Sequence, residues 1–358
     1  MKVGFVARKG NLNISKVQIG LRGYSVQRLT TVLYEKLLEY QDDNTIIEKV
    51  EVGKGNSTFT RRATSFAELL YRNMTMYDII HAPTPLPIKP LRIRNDTKII
   101  TTSHGIRSVN PDSPCYAFEH ANQGIKNAII DRFGAHQTIQ SDFVIAVSSL
   151  TKKCVIDLGV EKDKVFVVNN GLDKRFIETP KRKRIRKRFV VGYLGPLYPN
   201  KNVIFAINAF RKIKDSNMDF EIWGKKTYEY VNLAKAARGD KRIKFMGMSP
   251  EKELVATYDK FDAFVYPTLC DQFPGSVMEA QARGLPVVSY KYGEMSDESK
   301  KYCLKAEDEN DMANILSKLK ENGYSDKLKK KSTKYARSFT SDKQAKETFN
   351  VYKKVNER

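Results

Sequence analysis

Cysteine, histidine and tryptophan are all scarce in this chain. The four cysteines, Cys115, Cys154, Cys270 and Cys303, lie far apart and form no C-x-x-C. That argues against a structural zinc site and against a disulfide scaffold, and makes a reduced, cytoplasmic setting the expectation. The four histidines, His81, His104, His120 and His136, lack the spacing of a metal cluster. No apolar run approaches the ~18–20 residues that cross a bilayer. The N-terminus enters a strand-like segment, Lys2 to Ala7, without the apolar stretch of a secretory leader. Also missing are the G-x-x-x-x-G-K-[ST] phosphate loop, the G-x-S-x-G elbow and H-E-x-x-H. No D-x-D of a metal-dependent transferase closes a strand, so no metal is required by any motif present.

Acidic residues are outnumbered, 41 against 63 basic, for a net charge of +22. Such a balance favours anionic partners: a nucleotide, a phospholipid surface or a nucleic acid. The densest basic run is Lys181 to Arg188, K-R-K-R-I-R-K-R. It reads either as a solvated linker or as a contact with acidic lipid headgroups, which would make the protein peripheral at a membrane.

At 358 residues the chain exceeds one ordinary core, and two domains are expected. Short β-branched runs alternate with amphipathic stretches. Strands are predicted at 3–7, 46–52, 78–81, 98–102, 143–147 and 165–168, then at 189–193, 220–223, 243–246, 263–266 and 287–290. Helices are predicted at 26–38 and 126–137, and from near Val203, Tyr228, Pro250 and Val277. The near-continuous apolar strands suit sheets covered on both faces, so each half reads as a βαβ series with a parallel, doubly wound sheet. The turn Asn170-Gly-Leu-Asp173 places the boundary. Residues 1–173 form the first domain, 174–188 a basic linker and 189–340 the second domain. The tail, 341–358, is a helix with the apolar stripe Ala345, Phe349, Tyr352 and Val355 or Thr348, packing back toward the first domain.

Four segments carry chemistry. Asp271 to Glu279 puts two carboxylates eight residues apart on a strand-loop-helix turn, where backbone N–H groups of Gly275, Ser276 and Val277 and a helix dipole can receive phosphate. Gly192 to Asn202 is a Gly-bearing turn between strand and helix. Its Gly195 allows close backbone approach, and Lys201 supplies a point charge. Thr101-Thr-Ser-His104-Gly105 ends a strand at the edge where open α/β sheets bind ligands. Gly20-Leu-Arg22-Gly23 precedes a helix and offers Arg22 and Gly23 to an anion.

These segments resemble the family 4 glycosyltransferases. Asp271…Glu279 is similar to their E-x7-E segment, with Asp for the first Glu. Gly192…Lys201-Asn202 is similar to their G-R-L-x-x-x-K-G/N, with Pro196 in the Arg position. Ser141 to Ser149 and Val165 to Asp173 follow the family's end-of-first-domain pattern, and the resemblance spans nearly the whole chain. It implies the GT-B fold: two Rossmann-like doubly wound parallel-sheet domains, an interdomain cleft and a C-terminal crossover helix. It implies a retaining transfer from a nucleotide sugar, metal-independent and without a cofactor, to a glycan, glycolipid or protein acceptor. Glu279 would hold the ribose and Lys201 the diphosphate. Asp271 and His104 would lie by the transferred sugar, where His104 donates a hydrogen bond. His81 would shape the cleft. Gly23 and Arg22 would border the diphosphate and acceptor, with Arg22 standing in for the Arg missing at 196. Pro274 has no N–H to offer. Three alternatives stay open: a GT-B transferase that modifies nucleic acid, a degenerate GT-B domain that only binds nucleotide or membrane, and an isomerase of the sugar nucleotide.

Overall fold

The computed structural model describes residues 1–8, 24–52, 68, 71–84, 92–105, 135–136, 138–180 and 188–358. Most of the predicted helix at 126–137, the Gly20–Gly23 loop with Arg22, and Lys181–Lys187 of the basic run lie outside the described residues; positions 135–136 of that helix are described and helical. Two compact units emerge. One is built from the chain up to Gly171 together with Ser341–Arg358, the other mainly from Leu172–Thr340.

The first unit holds a six-stranded parallel sheet of β1 (Lys2–Arg8), β2 (Ile46–Val52), β3 (Ile79–Ala82), β4 (Lys98–Ser103), β5 (Phe143–Ala146) and β6 (Val165–Val167), in the order β2-β1-β3-β4-β5-β6. Period-two alternation sends neighbouring residues to opposite faces. Phe5, Ile79 and Ile100 therefore enter one core, while Val6, Ile80 and Ile99 enter the other. The helix Ser341–Asn356 covers the first of these faces with Ala345, Phe349, Tyr352 and Val355.

The second unit repeats the plan with β7 (Phe189–Leu194), β8 (Met218–Trp223), β9 (Ile243–Gly247), β10 (Ala263–Tyr266), β12 (Val287–Tyr290) and β14 (Leu304–Ala306). Their order is β14-β12-β10-β7-β8-β9, all parallel. The chain leaves β7 toward β8 and β9, then crosses back to β10 on the other side. The loops after β7 and β10 thus diverge at the strands' C-terminal ends, the switch point where such sheets bind ligands. A two-residue ladder, β11 (Cys270–Asp271) with β13 (Glu294–Met295), is added beyond β10.

Several expectations change. Within the segment read as linker, Arg175–Glu178 is a short helix of the second unit. Arg188 is anchored to Asp219 through Nε at 2.8 Å, so it is fixed on β8 and is not part of a floating basic run. Cys154 and Cys303 are free thiols, but Cys270 is disulfide-bonded. Ser148, at the end of β5, serves as an N-cap: its hydroxyl accepts from the Thr151 N–H at 3.0 Å. Among the described residues no helix is long and apolar enough to cross a membrane.

Candidate active site

Two loops are stitched together at the β7–β10 switch point. The Asn200 carbonyl accepts from Leu269 N–H at 2.8 Å and from the Thr268 hydroxyl at 2.9 Å. The Asn200 side chain donates to the Cys270 carbonyl at 3.3 Å. After Lys201 the chain must turn sharply into the helix Val203–Lys212, and Asn202 does so in the left-handed region, φ 51°. Asn and Gly tolerate that conformation best, which gives a backbone reason for Gly or Asn after the lysine. The turn presents Lys201 to Asp271, and the two form an ion pair.

Asp271 Oδ2 is shared. It accepts from Lys201 and also from the Tyr266 hydroxyl at 2.6 Å, and Tyr266 in turn interacts with the Ser276 side chain. Burial, then the neighbouring Asp271 charge, raises the Tyr266 phenol well above its ordinary range. It therefore stays a hydrogen-bond donor at any working pH.

The helix carrying the second carboxylate spans Gly275–Ala282, two residues earlier than the sequence suggested. Glu279 accordingly lies at the start of the second turn, buried, with Tyr258 donating to its Oε2 at 2.7 Å. Pro274 immediately precedes the helix, and its carbonyl accepts from Val277 N–H at 3.2 Å. Val277 is therefore a weaker anion donor than expected. Gly275 and Ser276, the first two helical residues, have no intrahelical acceptor and keep that role. The helix ends at Gly284, φ 70°, in a Schellman pattern: Leu285 N–H to Ala280 at 3.0 Å and Gly284 N–H to Gln281 at 2.8 Å.

The Gly195 N–H donates to the Trp223 carbonyl at 3.0 Å, which leaves close backbone approach, and not an N–H, as what this glycine can offer an anion. Its own carbonyl lies 1.9 Å from where a Cβ on Gly224 would stand, so the two glycines allow the loops after β7 and β8 to touch.

Sequence reasoning missed Tyr258, Tyr266 and an acidic neighbour, Glu251. Glu251 pairs with Arg175, which also binds Asp173 through Nε at 2.9 Å. Burial and the Glu279 charge push the Glu251 carboxyl up to about 7. A single acid after β9 gives no motif, so no sequence signal pointed to it.

In the first unit, His104 follows β4 as expected. Burial lowers its ring to about 4, and a bond to the Pro83 carbonyl opposes that only partly. Nδ1 is secluded without a hydrogen-bond partner. With the other nitrogen donating to Pro83, the neutral ring presents Nδ1 as an acceptor. The sequence resemblance instead implies that this ring donates. His81 lies within β3, fully buried between Tyr352 Oη at 2.5 Å and Thr102 Oγ1 at 2.8 Å. It ties the C-terminal helix to the sheet.

These two rings predict an acid-sensitive fold. His81 is lowered to about 3 and His104 to about 4, against 6.5 in the unfolded chain. The unfolded state therefore binds more protons below pH 6.5. Stability is full above that pH and drains as pH falls toward 4. Thermal unfolding should show the melting temperature falling across this window, and falling less in His81→Gln. A flat profile would contradict it.

Among the described residues, no group of three or more His, Cys, Asp or Glu could hold a metal ion. A separate polar cavity of about 340 Å³, lined in part by Lys212, Asp215, Asn314 and Lys320, includes none of the residues above.

Two doubly wound parallel sheets, with two carboxylates and a lysine in the loops at the second sheet's switch point, are the features of the GT-B class. The profile of the glycosyl transferases group 1 matches residues 175–339, and that of Glycosyltransferase Family 4 matches residues 22–176. The chain belongs to this family of glycosyltransferases. It is 28% identical over 251 residues to D-inositol 3-phosphate glycosyltransferase of Corynebacterium efficiens, covering 63% of this chain and 58% of that protein. It is 22% identical over 200 residues to the phosphatidylinositol N-acetylglucosaminyltransferase GPI3 subunit of Saccharomyces cerevisiae, covering 53% and 43%. The chain thus spans about half the length of the curated relatives it matches. Among solved structures, it is similar to Anabaena HepE in complex with UDP and glucose, with a TM-score of 0.67 and 15% identity over 99% of this chain and 100% of that one. Sucrose-phosphate synthase from Thermosynechococcus elongatus gives a TM-score of 0.70 and 15% identity over 99% and 98%.

Proposed function

We propose that the protein is a retaining glycosyltransferase that moves a sugar from a nucleotide sugar to a glycan or lipid-linked acceptor, without a metal. The observation that carries this reading is the Lys201–Asp271 ion pair beside the N-terminus of the Glu279 helix. Departure of a nucleoside diphosphate builds negative charge on phosphate and positive charge on the sugar. Lys201 and the Gly275 and Ser276 N–H groups answer the first, and Asp271 answers the second. Glu279, held by Tyr258, presents its carboxylate to the ribose hydroxyls. In the first unit His104 Nδ1 accepts from a hydroxyl of the sugar or acceptor. A UDP–glucose complex is known for Anabaena HepE, and lipid or glycan pathways are named for several relatives. These make UDP-sugars the first donors to try, with GDP-sugars as the contrasting base. The basic sequence from Lys181 to Lys187 supports an anionic membrane face as the place where a lipid-linked acceptor is met.

Calorimetric titration with UDP and GDP tests the donor site. One nucleotide should bind, and Glu279→Ala should weaken it about 10-fold or more, as expected when hydrogen bonds to a charged group are lost. No binding of either nucleotide would favour the alternative of a domain that has lost its donor site.

A further inference from the structure

In most of its surroundings a shorter acid would be a poor substitute for glutamate, because it loses one methylene of reach. Here the shorter acid is clasped by two groups that differ in mobility. Lys201 is a flexible cation that a diphosphate would also attract. Tyr266 is the last residue of β10, buried, its ring stacked at 13° to both Tyr193 and Phe264. Its hydroxyl reaches the same Asp271 Oδ2 at 2.6 Å. The ring also lies 5.6 Å from Lys201 Nζ, so one side chain borders both charges.

We propose that Tyr266 is a positioning residue that keeps Asp271 in place when a donor diphosphate draws Lys201 away. The inference rests on the donor-site reading above. Before binding, Asp271 neutralises Lys201. When the diphosphate arrives, Lys201 exchanges one anion for the other, and Asp271 loses its counter-charge. Without Tyr266 the carboxylate would be free to rotate toward solvent or follow the lysine. With it, the oxygen is fixed from a rigid strand, and the raised phenol keeps its proton throughout. The hydroxyl is all that is needed: phenylalanine preserves the stack and removes only the hydroxyl's bonds, to Asp271 and to the Ser276 side chain.

The test is Tyr266→Phe, measured with UDP-glucose, or with GDP-mannose where the unmodified chain prefers it. Losing a hydrogen bond to a charged group should lower kcat about 10- to 100-fold. The donor KM should change less than about 3-fold, because the bond matters only once Lys201 has moved. The melting temperature should stay close to that of the unmodified chain. In an Asp271→Glu background, the longer acid restores its own reach, so Tyr266→Phe should cost under about 3-fold. Unchanged kcat, an equal loss in both backgrounds, or a loss that follows unfolding would each overturn the proposal. If the unmodified chain turns over neither donor and binds neither UDP nor GDP, the donor-site reading fails first. Normal turnover with an indifferent Tyr266→Phe sinks this inference alone.

Discussion

Lys201→Ala is expected to lower turnover, or donor affinity, by at least ~100-fold. The reason lies in what surrounds the lysine. The pattern that Gly192 to Asn202 resembles has an arginine as well as a lysine, and this chain has Pro196 in the arginine's place. Lys201 is then the one cationic side chain between Gly192 and Asn202. It is also well placed, with a side chain only 13% exposed and a turn locked by the left-handed Asn202. Once a diphosphate has drawn Lys201 from Asp271, the cation already stands at the leaving phosphate as charge develops there, and removing one such group costs roughly 3–4 kcal/mol. The unliganded protein should tolerate the change, because Asp271 keeps the Tyr266 hydroxyl as a partner and its side chain is still 21% exposed to water. Steady-state kinetics beside a melting curve separates the two effects. Near-normal activity would remove the phosphate role of this loop.

Arg283→Leu should have the largest effect on the fold, destabilising the second unit by about 3–5 kcal/mol. The guanidinium is fully buried, 0% exposed, and grips Asp259 with Nε–Oδ1 at 2.9 Å and Nη2–Oδ2 at 2.8 Å. Nη1 adds bonds to the carbonyls of Thr179 at 2.7 Å and Phe176 at 3.3 Å. Removing it strands a buried carboxylate and two carbonyls. For a unit of this size the melting temperature should drop by roughly 10 °C. Replacing both partners, Arg283→Leu with Asp259→Leu, should recover part of the loss, since the stranded charge is gone. A single variant as stable as the parent would show that the pair is not what holds this end of the Glu279 helix.

The strands were readable because their apolar runs are continuous and β-branched. Ile46–Val52, Ala263–Tyr266 and Val287–Tyr290 fall where the sequence put them. So does the apolar stripe of the last helix, which enters the first core. β14 is only three residues, too short to stand out from a turn. The helices Glu309–Asn322 and Asp326–Arg337 were not anticipated, since lysine-rich surfaces dilute the spacing of Met312, Leu316 and Leu319. At the site, the motif residues Lys201, Asp271 and Glu279 could be named because their spacing is local. Their partners could not. Tyr258 reaches Glu279 across 21 residues of sequence, and Arg283 reaches Thr179 across 104. Nor does spacing show which N–H groups are engaged: Val277 looks like an anion donor until its N–H is followed to the Pro274 carbonyl.

The most direct test is nucleotide release from a panel of UDP- and GDP-sugars, without acceptor and without added metal, in the parent chain beside Asp271→Ala and Glu279→Ala. The account predicts slow hydrolysis of one donor, lost in both variants, with the sugar and base named by the donor that reacts. Release that persists in both variants would contradict it, because the carboxylate pair would then have no part in the chemistry.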